Sequence, residues 1–312
     1  MWSDDQHANE VRIGVLMYCE HRQPSLDGFK KGMMAHGKFK GMVYHYDIRN
    51  TSHDRSKLLP LAEEIISTRP DIAIATGAIE ADALKIASQG SGVPVVFLAG
   101  SNAVERGLAE SVIRPGGNVT GIETNDAALT EKRLWYITKL LPKARQVTCL
   151  NYPTISSSKD AAEIARRVAP TLGLELRVID VSSLEEAKSA AASISQDNTD
   201  VILLLPGIPL DQIEREVLRP ISLAHKIPIL GYHYGSILNG AFAAFGASRY
   251  AAGAQGARLT VKVLHGADPA NTPLESPEQL DLTINRWMVN QLDLRLPSRV
   301  WRLASKLVDI KF

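Results

Sequence analysis

Apolar residues in this chain come in short unbroken runs that alternate with longer stretches where they recur every three or four positions. Arg12-Ile-Gly-Val-Leu-Met-Tyr18, Ile72-Ala-Ile-Ala-Thr76 and Val95-Val-Phe-Leu-Ala99 are such runs, and Met42 to Asp47 is a more mixed one. A continuous apolar run rich in β-branched residues reads as a parallel strand covered on both faces. Between the runs, Pro24 and Ser25 open a helix through Phe29, Met33 and Met34 to a C-cap at Gly37. Leu58, Leu59, Ala62, Ile65 and Ile66 line one face of a helix stopped by Pro70, and a third helix runs from Glu80 to about Gln89. Repeated strand-helix units of this length imply right-handed crossovers and a doubly wound parallel sheet, with ligands at the carboxyl ends of its strands.

The pattern then stops and starts again. Arg114-Pro-Gly-Gly-Asn-Val-Thr-Gly-Ile122 places a Pro-Gly-Gly turn before a short extended run, with glycines at 116, 117 and 121 supplying backbone freedom. Past it come a helix from Ala127 to Leu141, a strand Gln146–Leu150, a helix Ser158–Leu172, a strand Leu174–Val181 and a helix Leu184–Ile194. The most apolar strand, Val201–Leu205, a helical segment Leu210–His225 and a short strand at Ile229-Leu230 follow. Ala241 to Gly246 leads into an Ala- and Gly-rich helix, Arg249–His265, whose small residues suit a return to the first lobe. Asp281–Asn285 reads as a third crossing, and helices at Arg286–Leu292 and Ser298–Leu307 close the chain. The fold class expected is α/β, with two doubly wound parallel-sheet lobes joined by a multi-strand hinge and a ligand cleft between them. The lobes are expected at 11–121 plus 247–280 and at 122–246 plus 281–312.

Length agrees with two lobes, since 312 residues exceed what one core usually serves. A net charge of +1 gives no field for nucleic acid or an anionic membrane surface. Cys19 and Cys149 are read as two thiols rather than a bridge between moving lobes. No apolar stretch reaches the roughly 18 residues of a membrane span, and the polar start is unlike a signal peptide. The protein is therefore either cytosolic or a mature form whose leader has been removed.

Chemistry is mostly missing. Gly77 and Gly100 lack the spacing of a phosphate cradle, the histidines and cysteines lack metal-ligand spacing, and no nucleophile elbow occurs. No enzyme activity, metal or cofactor is expected. What remains is a collection of polar and aromatic residues at strand ends. In the first lobe these are Tyr18, Glu20 and His21, then Thr76, Ala78 and Glu80, then Ser101 and Asn102. Glu123 and Asn125 lie at the crossing, and Tyr152, Ser156, Gly207, Ile208, Tyr232 and Tyr234 belong to the second lobe. Together they read as a binding site without a reaction. Serines 156 to 158 are expected to cap a helix, with an anion site at its free amides as the alternative.

The run Arg114 to Gly121, with Gly107-Leu-Ala-Glu-Ser-Val before it and Lys132-Arg-Leu and Leu140-Leu-Pro after it, resembles the ABC transporter substrate-binding proteins of the type I periplasmic binding fold. That family includes tryptophan- and phenylalanine-binding members. Ile13-Gly-Val with Glu20-His21, Gly240 to Gly246, Ile284-Asn285, Leu292 and Leu296-Pro297 resemble it too, so the likeness covers nearly the whole chain. The resemblance implies a periplasmic, monomeric receptor that closes on a small molecule by hinge motion and delivers it to a membrane permease. Two loops depart from it: Ser101-Asn102-Ala103 stands where the family commonly has Asp-Pro, and Gly207-Ile208-Pro209 where it has Thr-Asp-Asn. A buried ammonium needs a charged partner, so the neutral loops point to an apolar or aromatic ligand, as large as a lipid or sterol. The alternatives are an aromatic or branched amino acid, with a carboxylate supplied by Glu20, Glu80 or Glu123, and a ligand sensor working with a partner protein. A two-domain glycosyltransferase is the enzyme class weighed against these. Gly117→Val or Gly121→Val is expected to impair folding or closure, and Tyr232→Ala to weaken binding without unfolding.

Overall fold

The computed structural model describes residues 10–35, 42–207 and 210–312. Gly37, expected as a helix cap, and Ile208 and Pro209 lie outside them. The chain divides into two compact units: one ends at Thr124 and resumes over Ser248–Gln279, and the other comprises Asn125–Ala247 and Leu280–Phe312.

Along the chain the first unit runs β1 (Glu10–Met17), α1 (Gln23–Ala35), β2 (Val43–Asn50), α2 (Leu58–Ser67), β3 (Ile72–Ala75), α3 (Ala78–Ala87), β4 (Val95–Gly100) and β5 (Val119–Glu123). The second unit follows with α4 (Thr130–Leu140), β6 (Gln146–Asn151), α5 (Ser156–Val168), β7 (Glu175–Asp180), α6 (Leu184–Ala191) and β8 (Val201–Leu203). Next come α7 (Leu210–Ile213), a π-helical turn (Glu214–Leu218), α8 (Arg219–His225), β9 (Ile229–Gly231), α9 (Tyr234–Asn239) and β10 (Ala243–Ala247). Helix α10 (Arg249–Leu264) belongs to the first unit, and β11 (Leu280–Asn285), α11 (Arg286–Gln291), α12 (Ser298–Leu303) and β12 (Lys306–Val308) complete the second.

The first sheet has strand order β2-β1-β3-β4-β5 and is parallel throughout. Its central strands are buried on both faces because successive side chains alternate sides: Ile13 and Val15 face one apolar cluster and Leu16 the other. On one face α1 and α10 meet through small residues. A Cβ on Gly28 would stand 1.9 Å from the Tyr250 carbonyl oxygen, and one on Gly253 would stand 1.9 Å from that of Ser25. The Ala- and Gly-rich composition of α10 thus serves backbone contact with α1.

The run from Arg114 to Ile122 works through two of its three glycines. Gly116 has φ +76 and donates its N–H to Ala270, while a Cβ on Gly121 would stand 2.3 Å from the Phe97 carbonyl oxygen, where β5 presses on β4. Gly117 has open space around its Cβ position and no positive φ. The expected damage from Gly117→Val therefore has no structural cause, whereas that from Gly121→Val does.

The second sheet has order β12-β11-β10-β9-β8-β6-β7 and is parallel except for β10 against β11. Two differences from the sequence reading arise here. The stretch expected as helix to Leu307 ends at Leu303, and Lys306–Val308 forms an edge strand on β11. The Tyr-His-Tyr segment after β9 starts α9, a helix too short to leave a periodic signal.

Candidate functional site: the strand ends of each unit

In the first unit the carboxyl ends of β1 and β3 are tied together by one carboxylate. Glu80 sits at the third position of α3 with its side chain 0% exposed, and its Oε1 accepts from the Tyr18 N–H at 3.1 Å and lies 3.0 Å from Thr76 Oγ1. Arg22, on the short helix Glu20–Arg22 after β1, brings Nε to 3.2 Å from the same oxygen, with its side chain 18% exposed. The other oxygen, Oε2, has no hydrogen-bond partner among the described residues. Gly77 caps α3 with φ −164, an extended conformation open to any residue, and without a side-chain hydrogen bond. Its lack of a side chain is steric in purpose: a Cβ there would stand 2.8 Å from Arg22 Cζ, Arg22 Nη2 and Glu80 Oε2 alike. Ala78 is the first residue of α3, whose opening amides have no partner within the helix.

Around this pair, the Tyr18 hydroxyl donates to the His53 carbonyl at 2.9 Å, and Glu20 lies 3.5 Å from His53 Nε2. The His21 and His53 rings meet edge to face at 5.6 Å. Burial raises the Cys19 thiol pKa, against the opposing pull of Arg22. The loop after β4 is held from β5: Glu123 accepts from the N–H groups of Asn102 at 3.0 Å and Ala103 at 2.8 Å. Asn102 has φ +60, so Glu123 and Asn102 act on the loop's shape, with Ser101 inside it.

In the second unit the ends of β9 and β10 are gathered by a cation. Arg133 on α4 is fully buried and donates Nε to the Phe245 carbonyl at 2.9 Å, Nη1 to the Asp126 carbonyl at 2.6 Å and Nη2 to the Tyr232 carbonyl at 3.2 Å. Burial lowers its pKa to about 10, partly offset by Asp126. Asn125, next to Asp126, has φ +44 where the chain enters this unit.

Tyr152 and Tyr232 are 5% and 7% exposed and belong to an apolar cluster with Leu150, Ile202 and Ile229. Little of either residue is exposed, and burial raises the Tyr152 pKa. The Tyr232 hydroxyl donates to the Gly207 carbonyl at 3.4 Å, and its ring lies 4.1 Å from that of His233. Tyr234 starts α9 beneath Lys306, whose Nζ is 4.6 Å from the ring centre.

The serines differ from expectation. Helix α5 begins at Ser156 without a side-chain cap, and Ser158 turns inward, accepting from the Tyr152 N–H and donating to Asn151. Ile208 lies outside the described residues. A cavity of about 360 Å³ between α4 and the end of α5, bordered by Lys132, Trp135 and Thr171, contains none of the expected site residues.

The structure thus brings together Tyr18, Thr76 and Glu80 in one unit and Gly207 with Tyr232 in the other. Arg22 and Arg133 were not anticipated from the sequence, because Arg22 meets Glu80 across 58 positions and Arg133 meets Tyr232 and Phe245 across 99 and 112, pairings that no local pattern marks. The only signal was indirect: Arg133 falls inside the Lys132-Arg-Leu run.

The family model for "ABC transporter substrate binding protein" matches residues 10–308. A tyrosine-binding protein of Clostridioides difficile is 27% identical over 290 residues, which is 92% of this chain and 82% of that protein. Two solved structures share the fold. One is an ABC domain from Streptococcus pneumonia in complex with L-Trp, with TM-score 0.78, 22% identity and coverage of 96% of this chain and 100% of that one. The other is a conserved domain protein from Vibrio cholerae, with TM-score 0.77, 22% identity and coverage of 95% and 99%.

Proposed function

The chain belongs to the ABC transporter substrate-binding protein family, and from that premise we propose that it captures an amino acid with an aromatic side chain and passes it to the membrane permease of an ABC transporter. The observation that carries this reading is its 27% identity, over 92% of its length, to a tyrosine-binding protein. Tyrosines at the strand ends of both units are consistent with it, since aromatic edges and a few polar groups suit such a guest. A lipid- or sterol-like ligand, favoured by the two neutral loops, finds no support in that relative. The neutral loops do not exclude an ammonium group, because Glu80 places a buried carboxylate near the end of β3.

An extracytoplasmic location belongs to the same reading. Among the described residues no helix is long and apolar enough to cross a membrane.

The test is a thermal-shift and calorimetric screen of the purified protein against the twenty amino acids, with a sterol and a fatty acid as controls. Tyrosine, tryptophan or phenylalanine at about 100 times its Kd should stabilise the protein by about 2.7 kcal/mol. A response to the sterol or fatty acid, with none to any amino acid, would overturn the reading.

A further inference from the structure

The geometry points to a second ligand site in the cavity between α4 and the end of α5, one that takes a small organic anion with an apolar body. It stands apart from the amino-acid reading, since none of the strand-end residues named above borders it. Its volume of about 360 Å³ lies at the lower end of the range of small-molecule sites, about 300–1,000 Å³. Val168 and Leu172 give it an apolar wall continuous with the core of the second unit, and Trp135 lines it from α4. The indole is held in place: its ring meets Tyr136 edge to face at 5.1 Å, and Tyr136 leans on the buried Phe245 at 4.7 Å. Trp287 and Trp301 pack against that core, whereas the half-buried Trp135 borders the cavity.

Charge decides what enters. Lys132 Nζ stands 4.0 Å from the centre of a Trp135 ring, and Lys139 Nζ reaches the same side chain at 5.1 Å. Neither ammonium makes an ion pair among the described residues. Two like charges gathered at one indole repel each other, and an anion beside them relieves this while the cation–π contacts persist. Glu131 and Thr171 complete the rim. Glu131 lies in the first turn of α4, where the helix dipole offsets its charge, so the balance at the cavity stays positive. A neutral guest would leave the lysines unneutralised, and a cation would be repelled.

The probe is 1-anilinonaphthalene-8-sulfonate, an aromatic sulfonate whose fluorescence rises in apolar surroundings, titrated into the full chain with and without excess L-tyrosine. The wild type should bind it, and should bind the uncharged analogue N-phenyl-1-naphthylamine about 10-fold more weakly. Trp135→Ala and Lys132→Met should each weaken the sulfonate by about 10-fold, and Lys139→Met by about 3-fold. Glu131→Gln should tighten it by about 2- to 3-fold, an effect that a merely structural role of α4 would not produce. Glu131 and Lys132 are exposed, so their variants keep the test clear of folding even where Trp135→Ala is unstable.

Sulfonate affinity unchanged in Lys132→Met and Glu131→Gln would overturn the proposal, as would equal affinity for the two dyes or no binding of the sulfonate at all. Displacement of the sulfonate by L-tyrosine would move it to the amino-acid site and overturn the proposal while supporting the reading above.

Discussion

Two arginines on helices, Arg22 in the first unit and Arg133 in the second, reach strand-end residues and differ in their partners and burial. Arg133 is fully buried, and its donors go to the carbonyls of Asp126, Tyr232 and Phe245, so nothing of its charge faces outward. Arg22 keeps part of its surface and shares a single oxygen of Glu80. The first braces backbone carbonyls, and the second pairs with one buried carboxylate. A guanidinium buried against three carbonyls acts as a brace.

The strongest way to break this contrast is Arg133→Met, which strands three carbonyls that the sheet cannot rematch. A loss of about 3–5 kcal/mol is expected, read as a fall in Tm of about 10 °C by differential scanning calorimetry. A variant melting like the wild type would show that Arg133 braces nothing. Tyr232→Ala comes next, at about 3–5 kcal/mol for emptying a buried aromatic site. This replaces the expectation that it weakens binding alone, because the ring is packed in the apolar cluster. Urea unfolding checks it.

Gly253→Leu tests the first unit in the same way, by forcing α10 off the Ser25 carbonyl. It should cost at least about 1–3 kcal/mol, and amide exchange should rise in α1 and α10 but not in the second sheet.

The smallest effect sharpens the comparison through pH. Glu275 in the first unit is partly buried, which by itself would raise its pKa, but hydrogen bonds from Gln255 and Arg258 and the charge of Lys262 outweigh this, and the pKa is lowered. A carboxylate whose folded pKa lies below its unfolded value adds stability above the unfolded pKa, about 4.3 for glutamate. That stability is lost as pH falls through the folded value. Glu275→Gln should therefore lower stability at pH 7 and converge on the wild type at acid pH, as followed by urea melts from pH 7 to 3. Parallel curves would exclude this role.

Much of the fold was legible because it is local. The apolar runs at Ile72–Ala75 and Val95–Gly100, and the helical spacing from Leu58 to Ile66, fell where expected. The three-residue strand β12 and the six-residue helix α9 are shaped by neighbours rather than by their own periodicity. Of the site, Tyr18, Thr76 and Glu80 were readable as strand-end residues, while the roles of Glu123 and Ser158 as internal ties were not.

Composition and pattern alone determined that this chain builds two parallel α/β sheets and carries the residue runs of a binding family, since strand and helix periods are written in consecutive positions. Which side chains meet was decided only by the tertiary structure. Arg22 reaches Glu80, and Arg133 reaches Phe245 across 112 positions. Such pairings follow from how helices seat on the sheets, and that leaves no periodic trace in the sequence.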